Sequence, residues 1–475
     1  MVYKHHQATY HLGDGALRPD QRIVVGTRTG PKEARRVATH LGLSPLHPEL
    51  IIDHTVWNDG EYLPRFNSRA SLSRPDFIRY RSNYATEDGK RIWGHGLKGK
   101  VVYIVHTFSN SLTPQDLDKR VEFIADTAKY NGAEAVVLIA YTLDHSAQER
   151  GVHQTEHPRM QTDEAKFKFD GQSPISLLQL KQYASAGVDL VITPHNHCPD
   201  DTQRLCEEVN AEFDPVHQRS LELNSTQRYH LDFVHVDLSP MLGLFLSDYG
   251  YTNLKFDLSD SGKNVLFLCV DSGVYESGFV HNIRQYSGLK NAALAAMKKT
   301  RASDGSNIDM IELVHTEGLS TDRGIEGMHI FAPDDAIRSG ETIRKNIEVF
   351  RGGSLEGLVR DPRIKGIPQR VAVYATRTNF AGNSVRILSS PAIDDVVITN
   401  SDPRGMRNLG EIDTKTQMLW INFMMAEAAM AVERGENPND LLTPNYIRSK
   451  RLLRVDIPHG HHSLVDALSS HSGII

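Results

Sequence analysis

The chain has 475 residues, 39% hydrophobic and 24% charged, which is enough for two or three domains with sizeable cores. Its net charge of -6 argues against a general nucleic-acid binder, which needs a basic face. Three cysteines (Cys198, Cys206 and Cys269) form no CxxC pair, so no disulfide framework is expected and a reducing, cytoplasmic setting is the simplest.

Read from the N-terminus, MVYKHHQATYHLGDG has no apolar core of the kind a signal peptide needs, and no later apolar run reaches transmembrane length. No membrane partner is therefore expected. Residues 63–96 are rich in Arg, Ser and Asn and read as an insertion, with Arg65, Arg69, Arg74, Arg79 and Arg81 on a solvated loop. At its end, Gly94 to Gly99 spells GxGxxG, but a strand follows rather than a helix, so the run is a turn and not a dinucleotide fingerprint. Residues 101–106 (VVYIVH) read as a buried strand. A helix over 114–130 follows, with Leu117, Val121, Ile124, Ala125 and Ala128 on one face. A second strand is expected over 135–141, a helix over 175–186 stopped by Gly187, and a third strand over 190–193. Residues 199–229 are polar and helical in part.

The order then repeats. Strands are expected over 265–270, 328–332, 371–375 and 396–399, with helices over 289–298, 339–350 and 417–433. The apolar runs lack alternation, as in parallel strands buried on both faces, and the repetition suggests duplication of one doubly wound α/β unit. The Met and Phe residues of 417–433 read as core. Residues 450–475 form a tail containing His459, His461 and His462.

The strongest chemical signal is FAPDDAIRSGET, residues 331–342. A buried strand leads to adjacent carboxylates, Asp334 and Asp335, and a turn opens a helix near Ser339 and Gly340. A helix N-terminus offers unpaired N–H groups to a phosphate, and the hydroxyls of Ser339 and Thr342 add donors. The carboxylates can take ribose hydroxyls or a hydrated Mg2+. The plain alternative is a capped helix with a solvated Asp pair.

This stretch resembles the loop shared by phosphoribosyltransferases and ribose-phosphate pyrophosphokinases. The resemblance extends over most of residues 20–436 and there favours the pyrophosphokinases. Residues 56–61 (VWNDGE) look like that family's R-F-[SN]-D-G-E loop, which implies that Trp57 stacks on adenine while Asp59 and Glu61 contact the nucleotide of a neighbouring subunit. Alone, the same residues read as a tight turn beside a core Trp. AYTLDHSAQER (140–150) is similar to P-Y-x-x-Y-A-R-Q-D-R, one residue longer, and places Gln148 and Arg150 near ATP; Ala140 and Ala147 replace the Pro and the first Arg. LVITPHNHC (190–198) resembles L-T-V-D-L-H and puts His197 on the Mg2+–ATP unit, with His195 where the family has Asp. Asp271 in CVDSG matches the carboxylate of S-P-D-x-G at the metal site. Lys298–Arg301 (KKTR) falls at the base of the family's mobile flap, and the best register gives the catalytic roles to Lys299 and Arg301, with Lys298 the other candidate lysine. The bland reading of that quartet is a solvated basic helix end. RVAVYATRTNF (370–380) and AIDDVVITNS (392–401) resemble Y-A-T-H-x-x-F and I-D-E-V-V-V-x-D.

The family's sugar loop is D-D-x-x-D-T-G-G-T, so Arg338 stands for its third Asp and Glu341 for its second Gly. The resemblance implies two tandem doubly wound phosphoribosyltransferase-type α/β domains with parallel sheets. Residues 1–242 would hold the ATP loops, 243–411 the sugar-phosphate loop (Asp334, Asp335, Arg338, Ser339, Gly340, Glu341, Thr342), and 412–475 a closing helix and extension. It implies Mg2+ held at His197 and Asp271, ATP and ribose 5-phosphate as substrates, and a homo-oligomer, dimer or hexamer. The altered loops keep two alternatives open: a homologue acting on a different ribose phosphate, and a non-catalytic regulatory subunit.

Overall fold

The computed structural model describes residues 17–27, 30–43, 52–58, 61–66, 86–87, 90–91, 97–108, 112–143, 145, 148, 162–168, 170, 173–221, 230–270, 272–301, 308–319, 322, 324–337, 340–351, 364–378, 380, 383–402 and 409–456. They fall into two compact units. One takes in the described part of Gln7–Val236 together with Met425–Asp440; the other lies within Asp237–Met424 and Leu441–Ile475.

The first unit is built on β1 (Arg22–Gly26), a hairpin of β2 (Ile52–Val56) and β3 (Tyr62–Phe66), the short pair β4 (Thr86–Glu87) and β5 (Lys90–Arg91), then β6 (Val101–His106), β7 (Ala135–Ala140), β8 (Leu190–Pro194) and β9 (Asp232–Val236). Its main sheet is five-stranded, in the order β1-β6-β7-β8-β9, and every pairing in it is parallel. The helices are α1 (Pro31–His40), α2 (Pro114–Tyr130), α3 (Asp163–Lys168), α4 (Ile175–Ser185) and α5 (Pro199–Leu221). Thr113 caps α2: its hydroxyl accepts from the Asp116 N–H at 3.2 Å and Asp116 answers by accepting from the Thr113 N–H at 3.1 Å. Val102, Ile104, Val136, Leu138 and Val191 pack on Val121, Ile124, Ala125, Leu180 and Ala184. The alternate residues Tyr103, Val105, Val137, Ile139 and Ile192 are buried as well. Both faces of the sheet are therefore covered, the condition under which parallel strands are stable.

The second unit contains β10 (Val265–Cys269), β11 (Ala293–Arg301), β12 (Ile308–Glu317), β13 (His329–Ile337), β14 (Arg370–Thr378), β15 (Asp395–Thr399), β16 (Thr416–Trp420) and β17 (Arg454–Asp456). They form one eight-stranded sheet in the order β12-β11-β10-β13-β14-β15-β16-β17. From β11 to β16 the pairing is parallel, whereas β12 and β17 join the two edges antiparallel. The parallel core expected of this fold thus carries one antiparallel strand at each edge. Helices α6 (Ser239–Tyr249) and α7 (Phe279–Ser287) meet at Gly243, where a Cβ would come within 2.5 Å of the Tyr286 side chain. Helix α8 (Glu341–Phe350) follows β13, and α9 (Asn422–Glu433) follows β16 and carries the chain back into the first unit.

Two expected helices are replaced in part by strands. The helix near 289–298 is instead β11. The helix lies earlier, at α7, and is ended by Gly288 in the left-handed conformation (φ 72°). Residues Ala293–Met297 have good helix formers, yet their small side chains let the segment lie beside β10, fully buried, and packing overrides propensity. The expected helix over 417–433 divides into β16 and α9. The break is held by buried Asn400, which accepts from the Ile421 N–H at 2.8 Å and donates to the Asn422 side chain at 2.7 Å. Strand β13 also runs further than expected, through Asp334 and Asp335 to Ile337.

Candidate functional site

In the second unit, the carboxylates of β13 lie next to β14 in register, Asp334 opposite Ala375 and Ile337 opposite Thr378. Asp334 accepts the Asp335 N–H at 2.9 Å, and Asp335 takes an ion pair from Arg377 of β14 at 3.2 Å. Both partners of that pair are mostly buried, so the attraction is screened less than at a surface. Gly340 then turns left-handed (φ 73°) to cap α8, a conformation that other residues adopt at a cost. Its carbonyl accepts the Arg344 N–H at 2.9 Å, which starts the helix. The result is a strand, a carboxylate pair and the N-terminus of a ten-residue helix. The backbones of Glu341 and Thr342 form its first turn; Arg338 and Ser339 lie outside the described residues. Lys299 and Arg301 sit two positions apart on β11, opposite Ile311 and Ile308 of β12. Beyond Ala296, β11 has β12 as its described strand partner, so the two form a two-stranded ribbon there. The basic quartet is on this ribbon and not at a helix end. Asp271 lies outside the described residues.

In the first unit, Trp57 is 55% exposed at the turn of the β2–β3 hairpin, and its N–H donates to the Glu61 carbonyl at 2.8 Å. It is therefore a surface side chain and not a core Trp; Asp59 lies outside the described residues. The hairpin is fixed by Tyr62, which hydrogen-bonds His54 at 2.6 Å and carries the Arg120 guanidinium 4.5 Å above its ring. Gln148 is exposed after β7, while Arg150 lies outside the described residues.

After β8, His195 adopts a left-handed backbone (φ 37°) and is buried, with its ring 6.0 Å from that of His235. His197 is exposed, and its N–H donates to the Asn196 side chain at 2.8 Å. Asn196 in turn donates to Thr202 at 2.6 Å and so ties the loop to the start of α5. Among the described residues no group of three or more His, Cys, Asp or Glu is placed to hold a metal. No helix among them is long and apolar enough to cross a membrane.

His106, at the end of β6, was not singled out from the sequence. It is wholly buried, and burial pushes its pKa down to about 4. An unfolded chain binds the proton near 6.5, so between these values the unfolded state holds more protons and stability rises with pH. The contribution is complete above about pH 6.5 and is lost as pH falls through 4, on the order of 3 kcal/mol in all. His106→Leu is expected to flatten this part of the dependence of the unfolding midpoint between pH 7 and pH 4.5. An equal fall in variant and parent would rule His106 out as its source.

No family model matches the chain. Two curated proteins named ribose-phosphate pyrophosphokinase are similar to it. That of Haemophilus ducreyi is 27% identical over 149 residues, 31% of this chain and 40% of that protein. That of Haemophilus influenzae is 27% identical over 179 residues, 33% of this chain and 50% of that protein. The chain thus spans half or less of the length of these relatives. A solved phosphoribosylpyrophosphate synthetase from Mycobacterium smegmatis aligns over 87% of this chain and 98% of its own, with a TM-score of 0.54 and 15% identity, and shows the fold. By these matches the chain is similar to the ribose-phosphate pyrophosphokinases. Of the positions that resemble that family, the structure brings Asp334, Asp335 and the Gly340-capped helix together in one unit, and Trp57 with Glu61 at one turn of the other. Two residues that the sequence left without a role, Arg377 and His145, make direct contacts with Asp335 and Gln148.

Proposed function

We propose that the protein transfers the diphosphate of Mg2+-bound ATP to the C1 hydroxyl of ribose 5-phosphate. The products are phosphoribosyl pyrophosphate and AMP. The observation that carries this reading is the strand–carboxylate–helix arrangement from Asp334 to Thr342, in a chain similar to pyrophosphokinases. The N–H groups at the start of α8 would bind the 5-phosphate, where an anion is favoured. Asp334 would accept from ribose hydroxyls. Trp57 offers an exposed aromatic face for the adenine of a neighbouring subunit, and Gln148, Arg150 and His197 would hold the nucleotide.

Magnesium binds through one or two carboxylates together with substrate phosphates and water. Asp271, a hard oxygen donor by residue type, and His197 are the residues that would hold it. Bound there, the ion would neutralise charge on the phosphates. In the reaction, the C1 oxygen forms a bond to the β-phosphorus while the bond from that phosphorus to the oxygen bridging to the α-phosphate breaks; AMP leaves and the hydroxyl proton passes to solvent. Lys299 and Arg301 would stabilise the charge that develops.

The Arg377–Asp335 ion pair favours a second reading, a different sugar phosphate as acceptor, because one of the two carboxylates is already engaged by a cation. The test is AMP release from Mg2+–ATP with and without ribose 5-phosphate. The expected result is AMP formation that requires the sugar. ATP binding with no AMP formed would point instead to another acceptor or to a regulatory subunit.

A further inference from the structure

The loop after β7 is one residue longer than the family pattern it resembles, and it contains the only histidine of that stretch, His145. His145 adopts a left-handed backbone (φ 58°), which costs an ordinary side chain on the order of 1 kcal/mol. The turn is fixed by α4. The His145 carbonyl accepts from the Ser176 hydroxyl and from the Gln148 N–H at 2.7 Å, and the Gln148 carbonyl accepts the Ser176 N–H at 3.3 Å. The backbones of His145 and Gln148 are thus both anchored to one serine in the first turn of α4.

The imidazole continues this anchoring to the side chain. Its Nδ1 is 3.1 Å from Oε1 of Gln148, and its Nε2 is 3.9 Å from Oδ2 of Asp118 on α2. Asp118 is itself fixed, since its Oδ1 accepts from the Tyr183 hydroxyl at 2.6 Å and from Nε2 of Gln179 at 2.8 Å. A carbonyl oxygen only accepts, so Nδ1 carries the proton in the contact with Gln148. With Oε1 engaged, the amide NH2 is the part of exposed Gln148 that remains for a ligand. It is a pure donor, suited to a phosphate oxygen or a ring nitrogen of a nucleotide.

We infer that His145 is a positioning residue that orients Gln148 to present its amide NH2 to the nucleotide. This rests on the proposed ATP-binding role of Gln148. A loop pin of purely structural kind would give stability and nothing else, and the two are separable because φ 58° suits both Gly and Asn. His145→Gly removes the ring without straining the backbone. His145→Asn keeps an N–H donor near the place of Nδ1.

The experiment measures KM for ATP and for ribose 5-phosphate, with the thermal midpoint, in parent, H145G, H145N, Q148A and H145G/Q148A. His145→Gly is expected to raise KM for ATP about tenfold, the scale of one lost hydrogen bond, and to leave KM for the sugar within about twofold. The Asn variant should recover most of the loss, and the double variant should be no worse than Q148A. A parental KM for ATP in H145G, or a change seen only in the thermal midpoint, would overturn the inference. If the parent makes no AMP but binds ATP, the dissociation constant of ATP replaces KM with the same expectations. A parent that binds no ATP overturns both this inference and the function on which it rests.

Discussion

Replacing Lys299 and Arg301 together by alanine is expected to lower sugar-dependent AMP release by at least about 10³-fold, with little change in the thermal midpoint. Diphosphoryl transfer asks little covalent chemistry of the protein, so cations that meet the developing charge supply much of the rate. The small effect on stability follows from where the two residues lie. Residues 293–296 of β11 pair with β10 and Met297 is buried, whereas 298–301 belong to the two-stranded ribbon with β12. Such a ribbon has little independent stability, so it adds little to the fold. Equal losses of activity and of melting temperature would argue that the pair is structural. Full activity in the double variant would remove both residues from the mechanism.

The largest expected effect on stability is at Glu433. In the first unit its carboxylate accepts from Nε of Arg22 at 2.8 Å, from a second Arg22 nitrogen, and from the Tyr103 hydroxyl, while Arg22 also donates to the Leu41 carbonyl at 3.0 Å. The Glu433 side chain is fully buried and that of Arg22 nearly so. Burial opposes the charge on Arg22, but the Glu433 partner outweighs it and the guanidinium pKa is raised. Glu433→Ala therefore leaves a buried cation without its counter-charge, and a loss of about 3–5 kcal/mol is expected. The double variant Arg22→Met/Glu433→Leu removes both charges and should recover most of that loss. Chemical denaturation of the parent, both single variants and the double variant measures the coupling. A double variant as unstable as the sum of the singles would show that the pair makes no specific contribution.

How much of this was legible in the sequence depends on the range of the interaction. Strands β6, β7, β8, β10 and β15 were readable because a strand buried on both faces must be a continuous apolar run. Helix α2 was readable from the apolar spacing of Leu117, Val121, Ile124, Ala125 and Ala128. The sheet edges were not, because IDMIELVHTE alternates only loosely and pairs antiparallel through two register shifts. Ala293–Met297 was misread because alanine favours helices in isolation and only the neighbouring strand decides otherwise. At the candidate site, the motif that resembles the sugar-phosphate loop pointed to Asp334, Asp335 and Gly340. Nothing local pointed to Arg377, 42 positions from Asp335, or to the contact from His145 to Asp118. Tertiary contacts of that kind have no local signature.

The pairing of Arg22 with Glu433 also bears on the order of synthesis. The two residues are 411 positions apart, and at a translation rate of about 5–20 residues per second the carboxylate is made some tens of seconds after the arginine. During that interval the nascent first unit must either keep Arg22 in water or bury it unpaired. Closing the sheet around Arg22 before then would carry the cost of a buried cation without its counter-charge. The first unit therefore gains this pairing only once α9, most of which belongs to it, has been made.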